Sequence, residues 1–95
     1  MTERSTILQR TRSVRFRHVG GEGVIVHQDA GEIMAVNGTG AMVFELADGK
    51  HTLDEIVSAV AERYPEQNRE QLTADVVAFA DQLLEAGALE RASGD

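Results

Sequence analysis

Apolar and polar residues alternate with a period of two in the first third of the chain and recur at helical spacing in the rest. Val14, Phe16 and His18 alternate with Arg15 and Arg17, so residues 13–19 read as a half-buried strand. Gly20-Gly21-Glu22-Gly23 supplies a turn. Val24 and Val26 then fall on one face, and Ile25 and His27 on the other, of a second strand over residues 23–29. Asp29-Ala30-Gly31 is a tight turn in which Gly31 can take the positive φ of a hairpin bulge. Ile33 to Val36 are four consecutive apolar residues between Gly31 and Asn37-Gly38. This is the pattern of a strand with little water on either face; the strand is placed at residues 32–37. The short connections predict an antiparallel meander.

Past Asn37 the period changes. Asn37 or Thr39 can cap a helix, because either side-chain oxygen can accept from the first free N–H groups. Ala41, Met42, Phe44 and Leu46 give that helix its apolar contacts over residues 39–48, and Gly49 is expected to end it. Thr52-Leu53-Asp54-Glu55 is a capping box, and Leu53, Ile56, Val57, Val60, Ala61 and Tyr64 follow at helical spacing over residues 53–64. Pro65 stops the run. The third helix covers residues 69–86, with Gly87 after its end. Leu72, Val76, Phe79 and Leu83 form one seam of it. Val77, Ala80 and Leu84 form a second, about 80–100° further round at ~100° per residue. Either this helix touches neighbours on two sides, or one flank meets a partner.

Three strands followed by three helices define an α+β fold with a three-stranded antiparallel sheet and helices on one side. Such a sheet leaves an edge that can accept another strand, either from a ligand or from a second copy in a homodimer. Residues 1–11 are polar except for Ile7 and Leu8 and read as a flexible N-terminal arm. Residues 91–95 read as a C-terminal tail.

Charge and composition narrow the function. Residues 1–20 hold five arginines against Glu3, a net +4, whereas the remainder carries −11 of the total −7. An acidic body repels phosphate backbones, which counts against nucleic acid, and suits a basic or neutral partner; acidic residues also simply keep a small domain in solution. The chain has no cysteine, so there is no disulfide or thiolate metal site, which fits the cytoplasm. No apolar run approaches the roughly 18 residues of a membrane span, and the first ten residues lack the apolar core of a signal peptide.

The sequence offers no catalytic constellation. His18, His27 and His51 are dispersed, and none forms a metal-like cluster with carboxylates. Asp54 and Glu55 occupy the first turn of a helix, where capping and the helix dipole account for them. Asp81 and Glu85 are spaced as on a solvated helix face. No serine lies in a nucleophile elbow. The glycine clusters lack the lysine of a phosphate loop and the spacing of a dinucleotide fingerprint. These observations describe a protein that is not an enzyme and needs no metal or cofactor. The alternative is a winged-helix DNA-binding transcription regulator, but residues 69–86 carry Arg69 against Glu70, Asp75, Asp81 and Glu85, the wrong sign for phosphate contacts. A carrier protein would need an attachment serine at a helix start, and Ser58 sits in mid-helix.

Several segments resemble the PqqD-like family. They are Gly21 to Val26, Gly31 through Val36-Asn37-Gly38-Thr39-Gly40-Ala41, Leu46-Ala47-Asp48-Gly49, Thr52 to Val57, Tyr64, Asp75 to Phe79, and Leu83 to Leu89. The resemblance implies a winged-helix-turn-helix-like domain over residues 12–90. It also implies the role of a RiPP recognition element, which binds the leader of a ribosomally made precursor peptide. Such a protein presents that peptide to a modifying enzyme, such as a radical S-adenosylmethionine enzyme or a leader peptidase. In the family the leader adds beside the strand that corresponds to residues 32–37 and lies against the third helix. Carried onto this chain, the peptide-binding residues would be Ile33, Met34, Ala35 and Val36 on the strand and Asp75, Val76, Phe79 and Gln82 on the helix. The stretch Gln28-Asp29-Ala30-Gly31 stands where members of pyrroloquinoline quinone biosynthesis have a proline-glutamate segment, which counts against that pathway and leaves lasso-peptide and other peptide pathways open.

Overall fold

The computed structural model describes residues 2–20, 22–29 and 31–92. The expected meander is present as β2 (Val14–Val19), β3 (Glu22–His27) and β4 (Glu32–Val36), antiparallel in the order β2-β3-β4. Three helices follow: α1 (Gly38–Leu46), α2 (Leu53–Arg63) and α3 (Arg69–Glu85). Each begins at a side-chain cap. Asn37 accepts from the Gly40 N–H at 2.9 Å, Thr52 and Glu55 close a capping box, and Asn68 accepts from the Gln71 N–H at 2.9 Å. Phe44, Leu53, Ile56, Val60, Val76 and Leu83 form the centre of the core, all with 1% exposure or less.

The N-terminal segment is not an arm. Residues Ile7–Arg10 form β1, the central strand of a second antiparallel sheet, flanked by β5 (Asp48–Thr52) and β6 (Leu89–Arg91) in the order β5-β1-β6. Leu8 has no exposed surface. A central strand gains ladder bonds on both sides, and one fully buried leucine adds about 1.5–3 kcal/mol of transfer free energy, which holds so short a segment in place. The Arg10 guanidinium donates to the carbonyls of Phe44 and Glu45. It thereby satisfies acceptors that the end of α1 leaves free. The residues read as a tail begin inside β6, where Arg91 pairs with Leu8; residues 93–95 lie outside the described residues.

Two further expectations are corrected. Gly49 does not end α1, which stops at Leu46 with Ala47 as its cap. Gly49 takes φ +83° within β5, beside Gln9 and the irregularity in β1 between Leu8 and Gln9. The strand Ile33–Val36 is not dry on both faces either. Ile33 is 75% exposed and Met34 42%, whereas Val36 is buried. The continuous apolar run belongs to an open edge.

Candidate functional site: the open edge of β4

The direction of every main-chain group in β4 follows from one bond outside it. Just beyond β3, the N–H of Gln28 donates to the Ser13 carbonyl at 2.8 Å, on the β2 side. In an antiparallel ladder, the N–H and C=O of one residue face the same neighbour, and alternate residues face opposite neighbours. Val24 and Val26 therefore face β2, and Gly23, Ile25 and His27 face β4. Their partners in β4 are Val36, Met34 and Glu32, whose main-chain groups point inward. Ile33 and Ala35 are left with N–H and C=O directed at the open edge. The hairpin that holds this register turns at Gly31, with φ +67°.

Side chains sort with the same period. Met34 and Val36 share a face with Ile25, which is buried against the helices, while Ile33 and Ala35 point to the other side. On the inner side, β4 and α3 form the two walls of a groove of about 440 Å³. Met34, Ala35, Val36, Asp75, Val76 and Phe79 line it, as six of the eight residues named from sequence. Ala35 contributes mainly through its edge-facing main chain, since its side chain lies on the outer face.

Ile33 and Gln82 do not line the groove. Strand alternation turns Ile33 outward, and Gln82 lies on α3 beyond the groove's reach, exposed to solvent. The residues missed are Asn37, Thr39, Gly40, Gln67 and Leu72. Asn37, Thr39 and Gly40 form the strand-to-helix junction and Leu72 is in the apolar seam of α3, so pattern could have found them. Gln67 lies in the loop before α3 and carries no pattern.

The groove is tight at one end. A Cβ on Gly40 would lie 2.9 Å from Val36 Cβ and 3.2 Å from the Phe79 ring. Polar groups stand on its rim, where Asp75 accepts from the Gln71 side-chain amide at 2.9 Å. Its lining is therefore mixed, with apolar surface from Met34, Val36, Leu72, Val76 and Phe79 and polar groups from Asn37, Thr39, Gln67 and the Asp75 carboxylate, beside the edge-facing main-chain donors and acceptors of Ile33 and Ala35. No group of three or more metal-ligating side chains occurs among the described residues. None of the described helices is long and apolar enough to cross a membrane.

Comparison with known proteins agrees with this architecture. No curated protein matches the sequence significantly. The fold is similar to a solved structure described as TbiB1 in complex with the TbiA(beta) leader peptide. That match has a TM-score of 0.75 and 23% sequence identity, and it covers 92% of this chain and 99% of the other. The sequence profile of the family described as coenzyme PQQ synthesis protein D (PqqD) matches residues 22–89, from the start of β3 to the start of β6. On that match the chain belongs to the PqqD family.

Proposed function

We propose that this protein binds the leader of a ribosomally synthesised precursor peptide by strand addition at β4 and presents it to a modifying enzyme, with no catalysis of its own. The observation that carries this reading is the alignment of two features: the free N–H and C=O groups of Ile33 and Ala35 run along a groove whose opposite wall is α3. A peptide in an extended conformation satisfies both at once. Its main chain completes the ladder, and its alternate side chains enter the slot between Met34, Val36 and Phe79. Main-chain bonds supply affinity without regard to sequence, and the slot supplies selectivity. Asp75 on the rim favours a leader with a basic residue at that end. The leader peptide in the TbiB1 structure supports the same reading.

The enzyme served would be a radical S-adenosylmethionine enzyme or a leader peptidase, in the cytoplasm. A second copy pairing edge to edge would use the same β4 groups, so homodimer and leader complex would exclude one another. Amide hydrogen exchange tests the proposal. Adding the cognate leader peptide should slow exchange at Ile33 and Ala35, while Met34, already bonded to β3, changes little. Unchanged exchange at Ile33 and Ala35 under saturating peptide would refute strand addition here.

A further inference from the structure

Among the described residues, no helix or strand covers the outer face of the β2-β3-β4 sheet. α1 packs on the inner face, where Ile25 is buried. The register places Val24, Val26, Ile33 and Ala35 together on the outer side, with Arg17 opposite Val24 and Arg15 opposite Val26. The valines are half-buried, and the other four are exposed. This is an apolar strip bordered by two cations, in a chain whose net charge is −7. The ion pairs among the described residues lie elsewhere, at Arg4–Asp54, His18–Glu45 and His51–Asp48. Neither Arg15 nor Arg17 is neutralised in that way. Of the two carboxylates within these strands, Glu22 and Glu32, only Glu22 lies on the outer face, opposite Val19 in the row next to Arg17, and it forms no ion pair among the described residues.

We infer that this outer face is a second docking surface, and that its occupant is the enzyme that modifies the bound precursor, through a local apolar patch flanked by carboxylates that meet Arg15 and Arg17. The inference rests on the leader-binding reading for the enzyme's identity. Charge selects the occupant. A second copy would offer the same arginines and no cluster of carboxylates on this face. Nucleic acid would meet Arg15 and Arg17 but would leave the apolar strip unsatisfied, and its continuous run of phosphates would extend past the two arginines onto the acidic body, which a local carboxylate patch need not do.

The surface is also continuous with the leader site. Directly opposed residues of neighbouring strands share a face. Leader residues paired with Ile33 and Ala35 would therefore project their side chains onto the outer side and widen the strip. The enzyme would then meet a surface made partly of this protein and partly of its cargo. It should bind the loaded complex more tightly than the free protein, and by linkage the enzyme should tighten the leader to the same extent.

The test is the double variant Arg15→Glu/Arg17→Glu, with two probes: the cognate leader peptide, and the purified enzyme that modifies the precursor. Both arginines are exposed, so the thermal melt should match the wild type. Leader affinity should change less than about twofold, because neither residue lines the groove. Enzyme affinity for the leader-loaded protein should fall tenfold or more, and Arg15→Lys/Arg17→Lys should restore most of it. In the wild type that affinity should weaken steeply with added salt, as for an encounter between opposite charges.

Equal enzyme affinity for the wild type and the charge-reversed variant would overturn the inference. So would sedimentation showing a wild-type dimer that the variant abolishes, which would make the occupant a second copy. If the wild type bound the enzyme in an arginine-dependent way but did not bind the leader, the leader-binding reading would fall and the docking face would stand.

Discussion

Gly40 and Phe79 meet at the closed end of the groove, where the position of a Gly40 Cβ is 3.2 Å from the Phe79 ring and 2.9 Å from Val36 Cβ. The second distance decides the outcome of a substitution. Gly40 lies in the first turn of α1, and alanine is favoured over glycine within a helix by about 1 kcal/mol. Val36 Cβ, however, is fixed to the backbone of β4 and cannot rotate away. Overpacking of this kind costs about 1–3 kcal/mol. Gly40→Ala should therefore be net destabilising in urea unfolding, and it should weaken leader binding by displacing Val36 and narrowing the slot. A more stable variant with unchanged affinity would show that the two elements separate freely.

Phe79 divides its surface between core and groove. It packs against the buried cluster yet remains partly exposed where it lines the slot. A fully buried phenylalanine replaced by alanine costs about 3–5 kcal/mol. Phe79→Ala should cost less than that and should also reduce leader affinity. Thermal melts combined with peptide titration read the two effects separately. A full core-sized loss with unchanged affinity would place Phe79 wholly in the core.

The elements that were legible in the sequence are those stabilised by their own side chains. The capping box at Thr52 and Glu55, the apolar spacing of α2 and the positive φ at Gly31 are all local signals. The second sheet was not legible. Asp48–Thr52 contains no large apolar residue, and Leu89–Arg91 has one. These strands exist because β1 lies between them and supplies main-chain partners, a non-local cause that periodicity does not record. The run Ile33–Val36 misled in the opposite way. Four apolar residues suggested burial on both sides, but the exposure of Ile33 and Met34 marks an unoccupied edge. The groove was thus legible by resemblance, and its register only from the structure.

Leu8 tests the status of the N-terminal strand. It has no exposed surface and pairs with His51 on one side and Arg91 on the other. Leu8→Ala should lower the unfolding free energy by about 2–5 kcal/mol in urea denaturation. A change below about 0.5 kcal/mol, typical of surface substitutions, would restore the picture of a loose arm.

The second sheet should also carry a pH dependence. His51 Nδ1 and Asp48 Oδ1 are 2.9 Å apart. This hydrogen bond holds the imidazole above its ordinary value of 6.5 and the carboxyl below its ordinary value of 3.8. For the histidine, the stabilisation is complete below the ordinary value and is lost as pH rises through the raised folded-state value. For the aspartate, it is present above the ordinary value and is lost as pH falls through the lowered one. The pair therefore stabilises the fold most at about pH 5–6. The groups are partly solvated, so the effect should stay below about 1 kcal/mol. The stability difference between wild type and His51→Ala should be larger at about pH 5.5 than at about pH 8.5 in parallel urea titrations. An equal difference at both would mean that the contact is not charge-assisted.

Proline substitution in β4 separates fold from function most sharply. Proline has no N–H to donate and is tolerated only where a strand faces open space. The bond from Gln28 to Ser13 sets the phase of the sheet, so that Met34 donates inward to β3 and Ala35 faces the open edge. Met34→Pro removes a bond from the ladder opposite Ile25, at the best-buried point of β3; a large loss of stability is expected. Ala35→Pro removes a donor that has no partner in the free protein. Its melt should lie close to that of the wild type, yet it should bind the leader poorly, because the incoming strand finds one donor missing and a ring at the point of closest approach. Ile33→Pro should behave like Ala35→Pro. Circular dichroism and leader titration on the three variants give the answer. If Ala35→Pro unfolded while Met34→Pro remained folded, the phase of β4 would be reversed. If Ala35→Pro and Ile33→Pro both stayed folded and bound leader at wild-type affinity, the leader would not be adding a strand at this edge.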